Sequence, residues 1–308
     1  MKKIIAIIVS VIMVFSCASV AFAADITEEK PFENSEFFNI GDYTLHYRTY
    51  EPAVAIKQVM LLHGFGLSTA SFEGLAEEYV KKGFRVVLVD LPNFGYSSRE
   101  TMRTNLVSRE DLVSALIDEL GGYWVLGGHS MGGGVAANVA INRQDKVTGL
   151  VLFAPQTSQK QSPFMAAIMT SPMVRTMFDL VIQYGTKVEF IMRMLVEMSF
   201  SDAGYAADYD ISRISKPLGI KGTGAGMAIM TSHANGTNIE SFGELKIPMV
   251  IVRTTNDQVA NSDNLDALVN SGATNLKVET FDEGGHMYME YNPVNACEVT
   301  YYTVVASF

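Results

Sequence analysis

The chain has 308 residues, 48% of them apolar and only 18% charged, which is ample material for one large buried core but not for a disordered or fibrous protein. Its net charge of −10 argues against a nucleic-acid partner, which would require a basic footprint. Two cysteines, Cys17 and Cys297, exclude a disulfide scaffold, and no His/Cys cluster has metal-ligand spacing, so neither a metal nor a cofactor is implied.

The first 23 residues read as an export signal. Lys2 and Lys3 precede an apolar run from Ile4 to Phe15 broken only by Ser10, and small residues lead to Ala21-Phe22-Ala23. Cleavage after Ala23 would give an exported protein with 21 basic and 33 acidic residues, one thiol and no stable membrane partner. Two alternatives share these residues: an uncleaved membrane tether, since Ile4 to Ala23 carries no charge, and a lipid-modified Cys17. The remaining Cys297 reads as a small buried apolar residue.

Asp25 to Glu36 is polar and reads as a lead-in. Phe38 to Tyr50, with Gly41-Asp42 at its centre, predicts a hairpin. Strands and helices then alternate: strand from Gln58 to Leu62, helix from Ser71 to Lys82, strand from Phe84 to Asp90, helix from Arg109 to Leu120. They continue with a strand from Trp124, a helix from Met131 to Arg143 and a strand from Val147 to Phe153. Short apolar runs between helices predict a mostly parallel sheet of about eight strands covered on both faces.

From 155 to 242 the rhythm stops and only helices are predicted. Ser162-Pro163 and Ser171-Pro172 each pair a capping residue with proline, Thr186 with Glu189 suggests a capping box, and Gly222 to Gly226 reads as a flexible joint. The alternation resumes with a strand from Pro248 to Arg253, a helix from Asp263 to Asn270, a strand from Leu276 to Phe281 and a helix from Pro293. The expected organisation is therefore a signal (1–23), a core in two parts (24–154 and 243–308) and a helical cap insertion (155–242).

The chemistry concentrates in Gly128-His129-Ser130-Met131-Gly132, a G-x-S-x-G run with a strand before it and a helix after it. A serine on so sharp a turn needs glycine two residues before and two after. Its hydroxyl also needs a base. Among five histidines, His286 directly follows the last strand, where loops at strand carboxyl ends converge. His129 points away from the elbow, His63 belongs to a turn, His46 lies in the hairpin and His233 reads as a helix cap. Asp257, beyond the strand ending at Arg253, is the acid placed to orient His286. The backbone N–H groups of Met131 and Phe65 are the expected oxyanion donors.

These blocks, His63-Gly64-Phe65-Gly66, Asp90-Leu91-Pro92-Asn93-Phe94-Gly95-Tyr96-Ser97, the serine elbow, Leu245-Lys246-Ile247-Pro248 leading to Asp257, and Gly285-His286, resemble the α/β-hydrolase superfamily in order and spacing. The resemblance implies the cap-bearing branch with esterases, lipases and carbon–carbon hydrolases, with catalytic Ser130, Asp257 and His286; the expected reaction is cleavage of a carboxylic ester, and its small, apolar substrate is an expectation from the methionines of the insertion. The family often has glycine before the acid loop, where this chain has Arg253-Thr254-Thr255-Asn256. Serine at 130 counts against dehalogenases and epoxide hydrolases, which use aspartate there. A carbon–carbon bond hydrolase, an acyltransferase or perhydrolase, and a non-catalytic binder on the same fold remain as rival readings. Nine of the 17 methionines fall in the insertion, as packing or as the wall of an acyl pocket.

Overall fold

The computed structural model describes residues 30–100, 106–157, 162–232, 236–260 and 262–305. The export signal, Cys17 and His233 lie outside the described residues.

Eight strands form one sheet: β1 (Ser35–Ile40), β2 (Tyr43–Tyr50), β3 (Lys57–Leu62), β4 (Phe84–Val89), β5 (Trp124–His129), β6 (Val147–Phe153), β7 (Met249–Thr254) and β8 (Leu276–Phe281). Their order across the sheet is β1-β2-β4-β3-β5-β6-β7-β8. The β1–β2 hairpin and the β2–β4 edge are antiparallel, and every pairing from β4 to β8 is parallel. The central strands carry buried side chains on both faces, as Val59 to Leu62 and Val86 to Val89 show, because helices cover the sheet on each side.

Three helices link the first parallel strands: α1 (Glu73–Lys81), preceded by a 3-10 turn at Thr69–Phe72, α2 (Arg109–Leu120) and α3 (Met131–Asn142). Ser108 caps α2 by accepting from the Asp111 N–H, and Gly121 at φ 67° ends it, so this helix matches its predicted bounds. Between β6 and β7 lie α4 (Pro163–Thr170), α5 (Pro172–Gly185), α6 (Glu189–Phe200), α7 (Ala203–Asp208), α8 (Ser212–Leu218), α9 (Thr223–Ser232) and α10 (Ile239–Gly243), with no strand among the described residues there. The chain closes with α11 (Ser262–Val269), α12 (Tyr288–Tyr291) and α13 (Pro293–Thr300). Cys297 is buried in α13.

Two local expectations fail for physical reasons. Thr186 with Glu189 makes no capping box: Val188 is the residue before α6, and the Thr186 hydroxyl instead donates back to the Gln183 carbonyl at 3.0 Å. Gly222 to Gly226 is no joint, because from Thr223 it is the first turn of α9. Its glycines let α9 press against neighbours: a Cβ on Gly224 would lie 2.6 Å from the Asp179 backbone, and one on Gly226 would lie 2.2 Å from the Asn93 side chain. The Asp179 carboxylate accepts from the Gly222 and Gly224 amides at 2.9 and 3.0 Å, which fits a negative charge at a helix start.

Candidate active site

The sheet order itself marks a place for ligands. From β3 the chain moves outward to β4, then returns across β3 to β5, so the crossovers leave neighbouring strands in opposite directions. A crevice opens outside the carboxyl ends of strands at such a switch. β3 ends there in His63-Gly64-Phe65-Gly66, and β5 ends in His129-Ser130.

Ser130 sits at φ 51°, ψ −119°, a conformation that non-glycine residues avoid. The surroundings hold it there. Its N–H donates to the Phe153 carbonyl at 2.9 Å, and its own carbonyl accepts from Gly133 and Gln156 at 2.9 Å each. The glycines are sterically required: a Cβ on Gly128 would lie 2.2 Å from the Gly132 carbonyl oxygen, and one on Gly132 would lie 2.2 Å from that of Leu62. Ser130 occupies the position before α3, where serine ordinarily caps the helix, yet its side chain makes no capping hydrogen bond. The hydroxyl is left for other work.

Asp257 follows β7 and His286 follows β8. The structure brings them together, with His286 Nδ1 2.7 Å from Asp257 Oδ2. The other carboxylate oxygen, Oδ1, accepts from the N–H groups of Val259 and Ala260 at 2.8 Å each. Burial pushes the Asp257 carboxyl upward, but His286 and these two amides outweigh it and hold it below the usual carboxylate range. A carboxylate bonded to Nδ1 directs the other ring nitrogen, Nε2, away from itself, as a base requires.

The absence of glycine before the acid loop is compensated by side chains. Asn256 Oδ1 accepts from the Gly285 N–H at 3.1 Å, the Thr254 hydroxyl donates to the Gly285 carbonyl at 2.8 Å, and the Ser201 hydroxyl donates to the Asn256 carbonyl at 2.7 Å. Acid loop, base loop and the end of α6 are thus stitched together. Gly285 stands at φ 54°, and a Cβ there would lie 2.6 Å from the Phe200 backbone.

His129 contributes more than its sequence position suggests. Its ring is buried, its Nε2–H donates to the His286 carbonyl at 2.9 Å, and its centroid lies 4.6 Å from that of His286. Burial, with the neighbouring His286 adding to it, drives its pKa well below the ordinary histidine value, so it remains neutral. Its Nδ1 is buried without a partner and faces Gly64, where a Cβ would come within 2.5 Å of it and 3.2 Å of Ser130 Cβ. One ring therefore spans the elbow, the base loop and the turn that carries Phe65. Met131 begins α3 directly after Ser130, and Gly64, the residue before Phe65, lies against Ser130. His63 is structural: Nδ1–H donates to the Gly64 carbonyl at 2.7 Å, and Nε2 accepts from the Leu91 N–H at 3.0 Å.

Sequence reasoning missed a second Ser–His–Asp constellation. His46 Nδ1 lies 2.7 Å from Asp90 Oδ2, and Ser35 Oγ lies 2.7 Å from His46 Nε2, all three fully buried. The only signal in the sequence was Asp90 at a strand end, too general to pair it with a histidine 44 positions away. A cleft of about 700 Å³ opens elsewhere, between α1 and the α7–α8 region, walled by Glu73, Asp202, Tyr209, Arg213 and Glu290 among others. Its wall contains none of the candidate residues.

A family model described as the alpha/beta hydrolase fold matches residues 57–293. A 139-residue stretch is 31% identical to the dihydrolipoyllysine-residue acetyltransferase component of the acetoin cleaving system of Cupriavidus necator, covering 43% of this chain and 35% of that protein. A 98-residue stretch is 37% identical to the pimeloyl-[acyl-carrier protein] methyl ester esterase of Photorhabdus laumondii, covering 32% of this chain and 36% of that one. The chain thus spans about a third of the length of these curated relatives. A thermophilic esterase from Thermogutta terrifontis superposes with a TM-score of 0.67 at 21% identity, over 84% of this chain and 92% of its own, a likeness of fold. With more than two thirds of its length matched by the family model, the chain belongs to the α/β-hydrolase fold family.

Proposed function

We propose that the chain is an exported serine hydrolase that cleaves carboxylic esters through an acyl-enzyme. Ser130 Oγ attacks the ester carbonyl while His286 Nε2 takes its proton. The Phe65 and Met131 N–H groups receive the developing oxyanion. His286 then protonates the departing alkoxide, and a water activated by the same nitrogen releases the acid and restores Ser130. Asp257 keeps the ring oriented and favours the imidazolium formed midway. The observation that carries this reading is the His286–Asp257 pair at 2.7 Å, on a loop tied by His129 to the strained serine elbow. The esterase named among the relatives agrees with it.

An apolar acyl group fits the surroundings. Met131, Phe94, Met227 and Met230 belong to one buried cluster, and Met227 and Met230 come from the insertion. Methionine adapts to varied apolar ligands, and each methylene buried adds up to about 0.8 kcal/mol, roughly fourfold in kcat/KM, until the pocket is full. The test is a fluorophosphonate probe with a 4-nitrophenyl ester series from acetate to laurate, run beside amide and diketone controls. Labelling at Ser130 and a maximum at medium acyl length are expected. Absence of labelling would reject the nucleophile, faster diketone cleavage would reassign the bond, and a decline from acetate onward would reject the acyl pocket.

A further inference from the structure

A surface helix ordinarily turns its apolar side inward and a polar side to water. The first two helices of the insertion, α4 and α5, bury none of their described side chains, and α6 buries Met192, Val196 and Phe200 yet still exposes Phe190, Met194 and Leu195. Among the described residues, eighteen large apolar side chains are exposed, and ten of them stand between Phe164 and Leu195. Helix α5 shows the pattern at helical spacing: its exposed positions include Met173, Leu180 and Tyr184, and none of its residues is fully buried. Phe164 of α4 and Phe190 of α6 are exposed to 74% and 77%.

Charge on this face is sparse and balanced. From Pro163 to Gly185 the only charged residues are Arg175 and Asp179, and Asp179 is turned toward the start of α9. Between Ser162 and Phe200 three basic residues balance three acidic ones, in a chain whose net charge is −10. The face therefore lacks the negative field of the rest of the molecule. At its edge Lys187 Nζ stands 5.1 Å from the Tyr184 ring centroid, an aromatic beside a cation, as found where a protein meets lipid headgroups.

We propose that the outward face of α4, α5 and α6 docks reversibly on a zwitterionic phospholipid bilayer, with the helices lying in the interfacial plane. A second copy of the chain fits less well, because protein interfaces carry a hydrogen-bonding rim and the exposed apolar positions of α4 and α5 offer little of one. Among the described residues no single helix is long and apolar enough to span a membrane; Phe164–Thr170 and Pro172–Gly185 are so only together, as a pair bent by 65°. Interfacial helices bury an apolar face carrying aromatics and leucine, as Phe164, Leu180 and Phe190 provide here. The uncharged segment from Ile4 to Ala23 also brings the chain to a membrane during the expected export. Reversible docking goes beyond the expectation of no stable membrane partner, and it stands independently of the hydrolase reading.

The test uses the full chain with Phe190→Trp or, separately, Val54→Trp, in phosphatidylcholine vesicles brominated along the acyl chains. Val54 is 77% exposed and precedes the amino end of β3, whereas the insertion leaves the carboxyl end of β6, and the native Trp124 is buried. Bromine should quench the indole introduced by Phe190→Trp and spare the one introduced by Val54→Trp. The combined variant Phe164→Ser, Tyr184→Ser, Phe190→Ser should bind vesicles at least about tenfold more weakly. A chain tethered through residues 4–23 alone leaves both indoles unquenched, which overturns the proposal, as does equal quenching at both. An indole at 190 that becomes buried without lipid, in step with protein concentration, overturns it in favour of a dimer. Quenching at 190 in a chain that hydrolyses no ester would retire the hydrolase reading and leave this one standing.

Discussion

Ser130 with His286 and Asp257, and Ser35 with His46 and Asp90, use the same three residue types and the same 2.7 Å His–Asp distance, yet they are opposite kinds of structure. In the buried set every valence is spent. His46 bonds Asp90 on one ring nitrogen and Ser35 on the other, and Ser35 Oγ also accepts from the Phe32 N–H at 3.1 Å. Asp90 further accepts from the Thr69 and Tyr96 amides, at 2.6 and 2.8 Å. Burial opposes its charge, but His46, with His63 and the Tyr96 amide, outweighs it and holds the carboxyl below the usual carboxylate range. This set clamps the β1–β2 hairpin to the loop after β4. In the other set the serine hydroxyl caps nothing and stands on a strained turn at the crevice. Residue types and distances alone do not define a catalytic site; what sets the proposed one apart is a serine hydroxyl that caps nothing.

The contrast breaks most sharply on the serines. Ser130→Ala should lower kcat/KM on the order of 10⁴-fold or more with an unchanged melting temperature. Ser35→Ala should leave turnover nearly intact while costing ~1–3 kcal/mol of stability, since it strips partners from His46 and Phe32. Steady-state kinetics beside thermal melts decide the matter, and comparable loss of turnover in both variants would erase the distinction. The aspartates repeat it. Asp257→Asn should cut kcat by about 10⁴-fold with little unfolding, because the imidazole loses its orientation. Asp90→Asn should destabilise by ~3 kcal/mol and leave the folded fraction active, since it breaks a buried pair.

A smaller effect tests how the elbow and base loop are joined. In Gly64→Ala the new methyl meets His129 Nδ1, so we expect a loss of ~1–3 kcal/mol together with a 10- to 100-fold drop in kcat, roughly, from displacement of the base. A variant that melts lower with unchanged kcat would mean that His129 only packs. Last comes an effect on stability alone, from the carboxylate of Glu290, whose side chain is 9% exposed. It accepts from Tyr209 OH at 2.9 Å, pairs with Arg213 at 3.4 Å, and leaves Oε2 buried without a partner. Burial pushes it up to about 7, despite Arg213 and Tyr209. A folded-state value above the unfolded one means that stability is greatest below the unfolded value and is lost as pH rises through about 7. Glu290→Gln should flatten that decline, on the order of 1–3 kcal/mol between pH 4.5 and 7, as read from denaturation at stepped pH. An unaltered slope would assign the decline to other groups.

Much of this was legible in the sequence. The strands read as apolar runs because a sheet covered on both faces demands them, and the bounds of Val147–Phe153 and Leu276–Phe281 emerge as predicted. Ser130, Asp257 and His286 could be singled out because each follows a strand that ends at the same edge. What escaped was tertiary. Gly222 to Gly226 looks like a joint by propensity, but close packing on Asp179 and Asn93 needs small residues inside a helix. The bond from His129 to the His286 carbonyl joins positions 157 residues apart, and nothing local announces it. The exposed apolar side of α5 escaped for a related reason: an apolar helix reads as buried until its neighbours are known.

The positive φ of Ser130 also bounds what descent can try at that position. A side chain branched at Cβ is severely penalised there, so threonine, the nearest chemical relative of serine, is the replacement the turn should tolerate least. Cysteine and aspartate are unbranched at Cβ and meet no such penalty. Mutational paths out of the proposed serine chemistry therefore lead toward thiol and carboxylate nucleophiles, and the elbow acts as a filter on evolutionary innovation before any question of reactivity arises.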